Sequence, residues 1–284
     1  MDIRVSPVTE PDLPRVGEFL HRHLNRRVSA DQWARSVLVP WKVSTPNHGY
    51  QLLAGGTVVG AYLAFYSERA VCGRTERFCN LGAWCVLPAY RFHALRLLKA
   101  LLAQDGYHFT DLSPSGNVVA LNARLKFRHL DTATALVPHL PWPSWQGRHR
   151  ISESPAVIEA TLTGRDLELY RDHAGAPAAR HAVLIRGDRW CYVLFRKDRR
   201  KRLPFFASLL HVSDPALFSA LARPFGRHLL LRHGILASLA ELRVVGARPR
   251  LSYLLSAPRP KMFRSPLEPD QIDYLYSELV CVAW

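Results

Sequence analysis

Residues 78–104 constrain this chain more than any other stretch. Residues 78–86 read as a strand, Pro88 cuts it, and residues 90–104 place Ala94, Leu97, Leu98, Leu101 and Leu102 at helical spacing. Proline fixes φ and lacks an amide hydrogen, so it stops the strand yet suits the first turn of a helix. Gly106 stands where a helix C-cap belongs. A strand that runs straight into a one-sided apolar helix must lay that helix on its own sheet, which implies an α+β architecture.

The flanking sequence supports that plan. A short strand at residues 3–5 precedes Glu10-Pro11-Asp12, which opens a helix with Leu13, Val16, Phe19, Leu20 and Leu24 on its apolar side. Residues 50–54 and 58–66 flank Gly55-Gly56 as a hairpin, so the first sheet is mostly antiparallel. Residues 109–112 give a further strand, and the turn at Ser113-Pro114-Ser115-Gly116 leads into a short helix over 117–125. The order is β-α-β-β-β-α-β-α.

Prolines 138, 141 and 143, with Trp142 and Trp145, mark an aromatic connector over residues 138–156. It divides a first domain, 1–137, from a second, 157–284. Beyond it come a helix over 167–173, a hairpin of 182–185 and 190–195 around Gly187-Asp188, a strand over 205–212 and a helix over 215–223. That order echoes the first half and predicts a tandem duplication.

Composition enters where it excludes classes of function. The 284 residues carry a net charge of +15, which favours anionic partners such as a polyphosphate cofactor, although much of it comes from arginine and selects no one partner. Five cysteines without a C-x-x-C pair read as reduced thiols rather than a disulfide frame or zinc site. The N-terminus lacks the pattern of an export signal, and the most apolar stretch, 229–245, is interrupted by Arg232, His233, Glu241 and Arg243, so a cytoplasmic protein without a transmembrane segment is expected. His21 and His23 point to different helix faces, and His228 and His233 are five apart, so no metal site is expected.

The string Trp84-Cys85-Val86-Leu87-Pro88-Ala89-Tyr90-Arg91 before an amphipathic helix resembles the strand-to-helix junction of the GNAT (GCN5-related N-acetyltransferase) superfamily. Asp111-Leu112-Ser113-Pro114-Ser115 and Leu125-Lys126-Phe127 resemble that family's next strand and last helix, and the likeness covers about the first half. It implies a mixed, mostly antiparallel GNAT-like sheet flanked by helices, with acetyl-CoA or another acyl-CoA as co-substrate. Free amides and the positive end of a helix at this junction suit the pyrophosphate. The implied cofactor-binding residues are Val86, Leu87, Arg91, Phe92, His93, Ala94, Leu95, Arg96 and Asn122. The chain departs from the family pattern R-x-x-G-x-G/A, since Ala94 and Arg96 replace its small residues, and Asn122 stands where a tyrosine often protonates the thiolate.

The resemblance further implies attack of an amine on a thioester polarised by a backbone amide near Val86, with a carboxylate accepting the amine proton. Glu76 and Glu68 are the candidate bases, and Cys85 and Ser113 the candidate proton donors to sulfur. The expected acceptor is an amine of a small molecule or sugar. Two rivals stand beside this reading: an aminoacyl-tRNA-dependent transferase of tandem GNAT-like type, and a degenerate scaffold that turns over nothing. The run Arg196-Lys197-Asp198-Arg199-Arg200-Lys201-Arg202 follows a strand and reads as a solvated hairpin tip, and nucleic acid is not an expected partner, because no aromatics interleave the run for stacking. Residues 273–280 read as a closing element of the second domain, with Glu278 either packed or a buried site residue.

Overall fold

The computed structural model describes residues 2–143, 149–200 and 203–283. Trp145 of the expected connector, and Lys201 and Arg202 of the basic run, lie outside them. The chain forms two compact units: Met1–Leu130 with Pro260–Ile272 and Tyr276–Trp284, and Asp131–Arg259 with Asp273–Leu275. They are not the successive stretches that the connector suggests, because the second unit begins before the connector and the first sheet takes β14, Met262–Arg264, from chain that follows the second unit's main stretch.

The first unit runs β1 (Ile3–Pro7), α1 (Leu13–His23), α2 (Ala30–Ser36), β2 (Gly49–Ala54), β3 (Thr57–Val71), β4 (Arg74–Val86), α3 (Ala94–Leu102), β5 (His108–Asp111), α4 (Asn117–Arg124) and β6 (Arg128–His129). The second runs β7 (Thr134–Pro138), β8 (Arg150–Ser152), α5 (Pro155–Thr161), α6 (Gly164–His173), β9 (Arg180–Arg186), β10 (Arg189–Arg200), β11 (Leu203–Val212), α7 (Pro215–His233), β12 (Ala237–Glu241), α8 (Leu242–Val245) and β13 (Tyr253–Leu254). The chain then returns to the first unit with β14 (Met262–Arg264) and α9 (Glu278–Cys281).

Two seven-stranded sheets result, ordered β1-β2-β3-β4-β5-β14-β6 and β13-β7-β12-β11-β10-β9-β8. Both follow one plan. Four strands pair antiparallel, the next is parallel to its neighbour (β5 to β4, β12 to β11), and an antiparallel strand follows (β14 or β7). The predicted tandem α+β duplication is thus what forms. Leu52, Leu81, Leu97, Leu98, Leu101 and Phe109 pack between the first sheet and its helices. Leu184, Val193, Phe195, Phe218, Leu221 and Leu229 do the same in the second. Burying such side chains contributes about 1.5–3 kcal/mol each.

Several expectations are corrected. The helix expected over 90–104 begins as a 3-10 turn, Pro88–His93, before α3 takes over. Tyr90, Phe92 and His93 are weak helix formers, and no side chain caps this start. The basic run is no hairpin tip over most of its length. Residues up to Arg200 extend β10, Arg196 is buried, and Asp198 is held by Ser208 (2.6 Å) and Arg259 (2.9 Å). The helix expected to stop at 223 continues through Pro224 to His233, because Phe225 and Leu229 keep its apolar face in the core. Tyr276 and α9 close the first unit, not the second: Trp41 meets the Tyr276 ring at 5.1 Å, and the Glu278 amide donates to Asn80 (2.9 Å). Among the described residues, no helix is long and apolar enough to cross a membrane.

Candidate active site

β4 and β5 run side by side only briefly. Phe78, Cys79 and Asn80 pair with His108, Phe109 and Thr110, but β4 continues to Val86 with no strand on that edge. The parting coincides with a bulge. Ala61 faces Cys85 while Leu63 faces Gly82, so one residue of β3 spans two of β4, and Ala83 takes a φ of 57°. A bulge twists its strand and turns amides out of the ladder, and here it leaves backbone polar groups on an open edge.

Buried polar side chains gather where the strands part. Asn80 is held by the Thr110 hydroxyl (3.1 Å), and its carbonyl oxygen accepts the Glu278 amide. Glu278 is fully buried. Its Oε1 accepts the Ser113 hydroxyl (2.7 Å), whereas Oε2 has no partner. The Glu278 side chain lies over Gly82, where an added Cβ would stand 3.0 Å from the glutamate Cβ. Asp111 ends β5 on the other face, with Phe109 and the α3 side of the sheet. It accepts the Asn122 amide (2.8 Å) and the Tyr62 hydroxyl. Tyr62 in turn stacks on Trp84 with ring centres 4.6 Å apart.

Burial pushes the Asp111 carboxyl up to about 7, against hydrogen bonds from Asn122, Ser113 and Tyr62 that favour its charge. Burial also pushes Glu278 up to about 7; the Ser113 hydroxyl opposes the rise, and the Asp111 charge adds to it. Both carboxyls therefore hold their protons up to near neutrality, each chiefly because it is buried. Trp84 Nε1 and Asn122 Oδ1 are also buried without partners. Unsatisfied buried groups are costly and call for a ligand or a bound water.

Of the sequence-derived residues, the structure brings Ser113 and Asn122 to this cluster. Cys85 is half-buried at the end of β4, and burial raises its thiol so that it stays protonated. Val86 and Leu87 line the start of the 3-10 turn, and the Leu87 amide donates to Val59 (2.9 Å). Arg91 and Phe92 are exposed, Phe92 at 98%, and His93, Ala94 and Leu95 are half-buried. Arg96 donates to the Ile3 carbonyl (3.0 Å). Glu68 and Glu76 stand toward the other end of β3 and β4, paired with Arg77 and Arg69 across the hairpin. Glu76 is tied to His108 (3.0 Å), and Glu68 is exposed. Sequence reasoning did not reach Asp111, Tyr62 or Asn80, whose roles depend on the parting of two strands 30 residues apart.

A mixed sheet with a bulged central strand, a splayed parallel neighbour and a helix at the splay matches solved structures across nearly the whole chain. A GCN5-related N-acetyltransferase from Anabaena variabilis superposes with a TM-score of 0.58 at 10% identity, over 93% of this chain and 72% of that one. The fold is that of the GNAT superfamily. A second GNAT structure, from Kribbella flavida, gives 0.56 at 15% identity over 93% and 72%. The tandem plan has a counterpart in Saccharomyces cerevisiae N-myristoyltransferase with bound myristoyl-CoA, at 0.54 and 11% identity over 100% of this chain and 86% of that one. No family model matches the sequence, and no curated protein does. At these identities the GNAT likeness is one of fold.

Proposed function

We propose that this chain is an N-acyltransferase that takes its acyl group from acyl-CoA and passes it to an amine of a small molecule or sugar. The observation that carries the reading is the buried Asp111 and Glu278 pair at the point where β4 and β5 part, with Glu278 Oε2 unpartnered. The GNAT fold supports the donor, and the yeast structure with myristoyl-CoA makes longer acyl chains worth testing beside acetyl.

The residues present fit acyl-CoA. The unpaired edge of β4 leaves backbone groups for an extended arm, and the 3-10 turn after Leu87 has no side-chain cap competing for its amides. Arg91 adds positive charge there. The second unit differs at the matching place: the Asp214 carboxylate caps α7 by accepting the Leu217 amide (2.8 Å) and pairs with Arg189 (2.6 Å). A phosphate would meet that carboxylate, which favours the first unit as the donor site.

When bound, acyl-CoA supplies a thioester carbonyl that an amine attacks and a sulfur that leaves. Glu278 takes the proton that the amine sheds, its raised pKa suiting a base that works near neutrality. The exposed Ser113 hydroxyl links this buried carboxylate to the surface. On the opposite face Asp111, oriented by Asn122 and Tyr62, holds a proton for the departing thiolate and takes the part of the tyrosine that Asn122 replaces.

Calorimetric titration with acetyl-CoA and longer acyl-CoAs, followed by a free-thiol assay against an amine library, tests the reading. Binding is expected to weaken about tenfold in Arg91→Ala, in line with the loss of one charge-assisted phosphate contact. Absence of binding by the intact chain would sink it.

A further inference from the structure

We propose that a cleft between the C-terminal half of α7 and β8, in the second unit, binds a small phosphorylated organic molecule. The cleft has a volume of about 450 Å³ and is lined by His149, Ile151, Pro224, Arg227, His228, Leu231 and Arg232. Pro224, Arg227, His228 and Leu231 fall three and four residues apart, so one face of α7 presents them together.

The charge of the cleft is only partly neutralised from within. Helix α7 contains no acidic residue along Pro215–His233. Arg227 makes no hydrogen bond or ion pair among the described residues. Glu153 is the carboxylate near Arg232, 4.0 Å from its Nε, and it is already spent: its Oε1 accepts His228 Nε2 (2.6 Å), and both oxygens accept His233 Nε2 (2.8 and 2.9 Å). Glu153 therefore fixes the ring of His228 at the wall, and its one charge stands against two guanidinium groups, with only Arg232 within reach.

A concave wall with one unpaired arginine and a second only 4.0 Å from a shared carboxylate attracts an anion, and guanidinium forks match phosphate oxygens in geometry as well as charge. A metal ion does not suit it. No group of three His, Cys, Asp or Glu among the described residues is arranged to hold one, and the nearby arginines repel cations. Bare phosphate does not fill the space. Clefts of roughly 300–1,000 Å³ take ligands with an organic body, and Ile151, Pro224 and Leu231 supply the apolar surface against which such a body packs. The phosphate and the body together define the class.

The site is separate from the one assigned to acyl-CoA, and its test keeps the two apart. The intact chain is titrated calorimetrically with phenyl phosphate, inorganic phosphate and phenol. Phenyl phosphate is expected to bind at least fivefold more tightly than inorganic phosphate, with no heat from phenol. Arg227→Gln with Arg232→Gln should weaken phenyl phosphate at least tenfold, and lysine at both positions, which restores charge but not the fork, should recover only part of the loss. Leu231→Asp, a change at an exposed side chain, should abolish binding even if the double variant folds poorly. Arg91→Ala should leave it unchanged. Equal affinity for the two phosphates, wild-type binding by Leu231→Asp, or loss in Arg91→Ala alone would overturn the proposal.

Discussion

Glu278 and Asp111 set stability against activity. Each carboxyl holds its proton more tightly in the folded chain than its ordinary value allows, so between about pH 4 and 7 the folded state binds protons that the unfolded state has released. Stability therefore falls as pH rises through that window and levels off above it. The base role needs the opposite: kcat/KM should rise as Glu278 loses its proton and fall again as Asp111 loses the one it donates, which gives a maximum near pH 7. Glu278→Gln should cut kcat/KM by roughly 10²–10³-fold, and should also stabilise the chain at pH 8 by about 1–3 kcal/mol while changing little at pH 4. Thermal melts and rate profiles over the same pH range check both. A residue that only packs would not couple a gain in stability to a loss of rate. Little in the sequence announces this site: Glu278 stands 165 residues from Ser113, and its one signal is an isolated acid in an apolar terminal run. Glu68 and Glu76 have the clearer sequence position, yet distance along a strand separates them from the splay.

Elements were legible where one local rule decided them. Pro88, Gly55-Gly56 and the leucine spacing of α3 place the meander and its helix without help from the rest of the chain. β10 and α7 were shorter on paper because tertiary packing overrides the local signal. The run after Phe195 is charged, yet β10 extends through it by pairing with β11, and α7 tolerates Pro224 because its apolar face is buried on both sides of it. The bulge in β4 is an element-scale device with its own test. An added methyl at Gly82 meets the Glu278 Cβ at 3.0 Å and the Phe65 ring at 3.1 Å, so Gly82→Ala must displace the glutamate or the ring. Destabilisation of about 1–3 kcal/mol is expected from such overpacking, together with a loss of turnover larger than any loss of acyl-CoA affinity. Asp214→Ala in the second unit should cost about 1 kcal/mol as a lost helix cap, with turnover per folded molecule unchanged. Denaturant melts beside thioester assays separate the two variants.

At the scale of the whole molecule, the first sheet takes a strand from chain that follows the second unit's main stretch. β7 follows the first unit in sequence but joins the second sheet, whereas β14 and α9 follow the second and complete the first. No composition signal reveals this, since a two-residue β6 and a three-residue β14 are too short to show alternation. A chain cut after Arg259 should retain residues 131–259 as a protease-resistant fragment and lose acyl transfer entirely, because β14 and Glu278 are both removed. Limited proteolysis with mass spectrometry checks the first outcome, and the thioester assay the second. That late return also sets a timetable for synthesis. While the ribosome makes residues 131–259, the nascent first sheet has an open place beside β5, and Glu278 does not yet exist. The unit that begins first is completed after the second, so the cluster of Asp111 and Glu278 assembles only once residues 131–259 have been made.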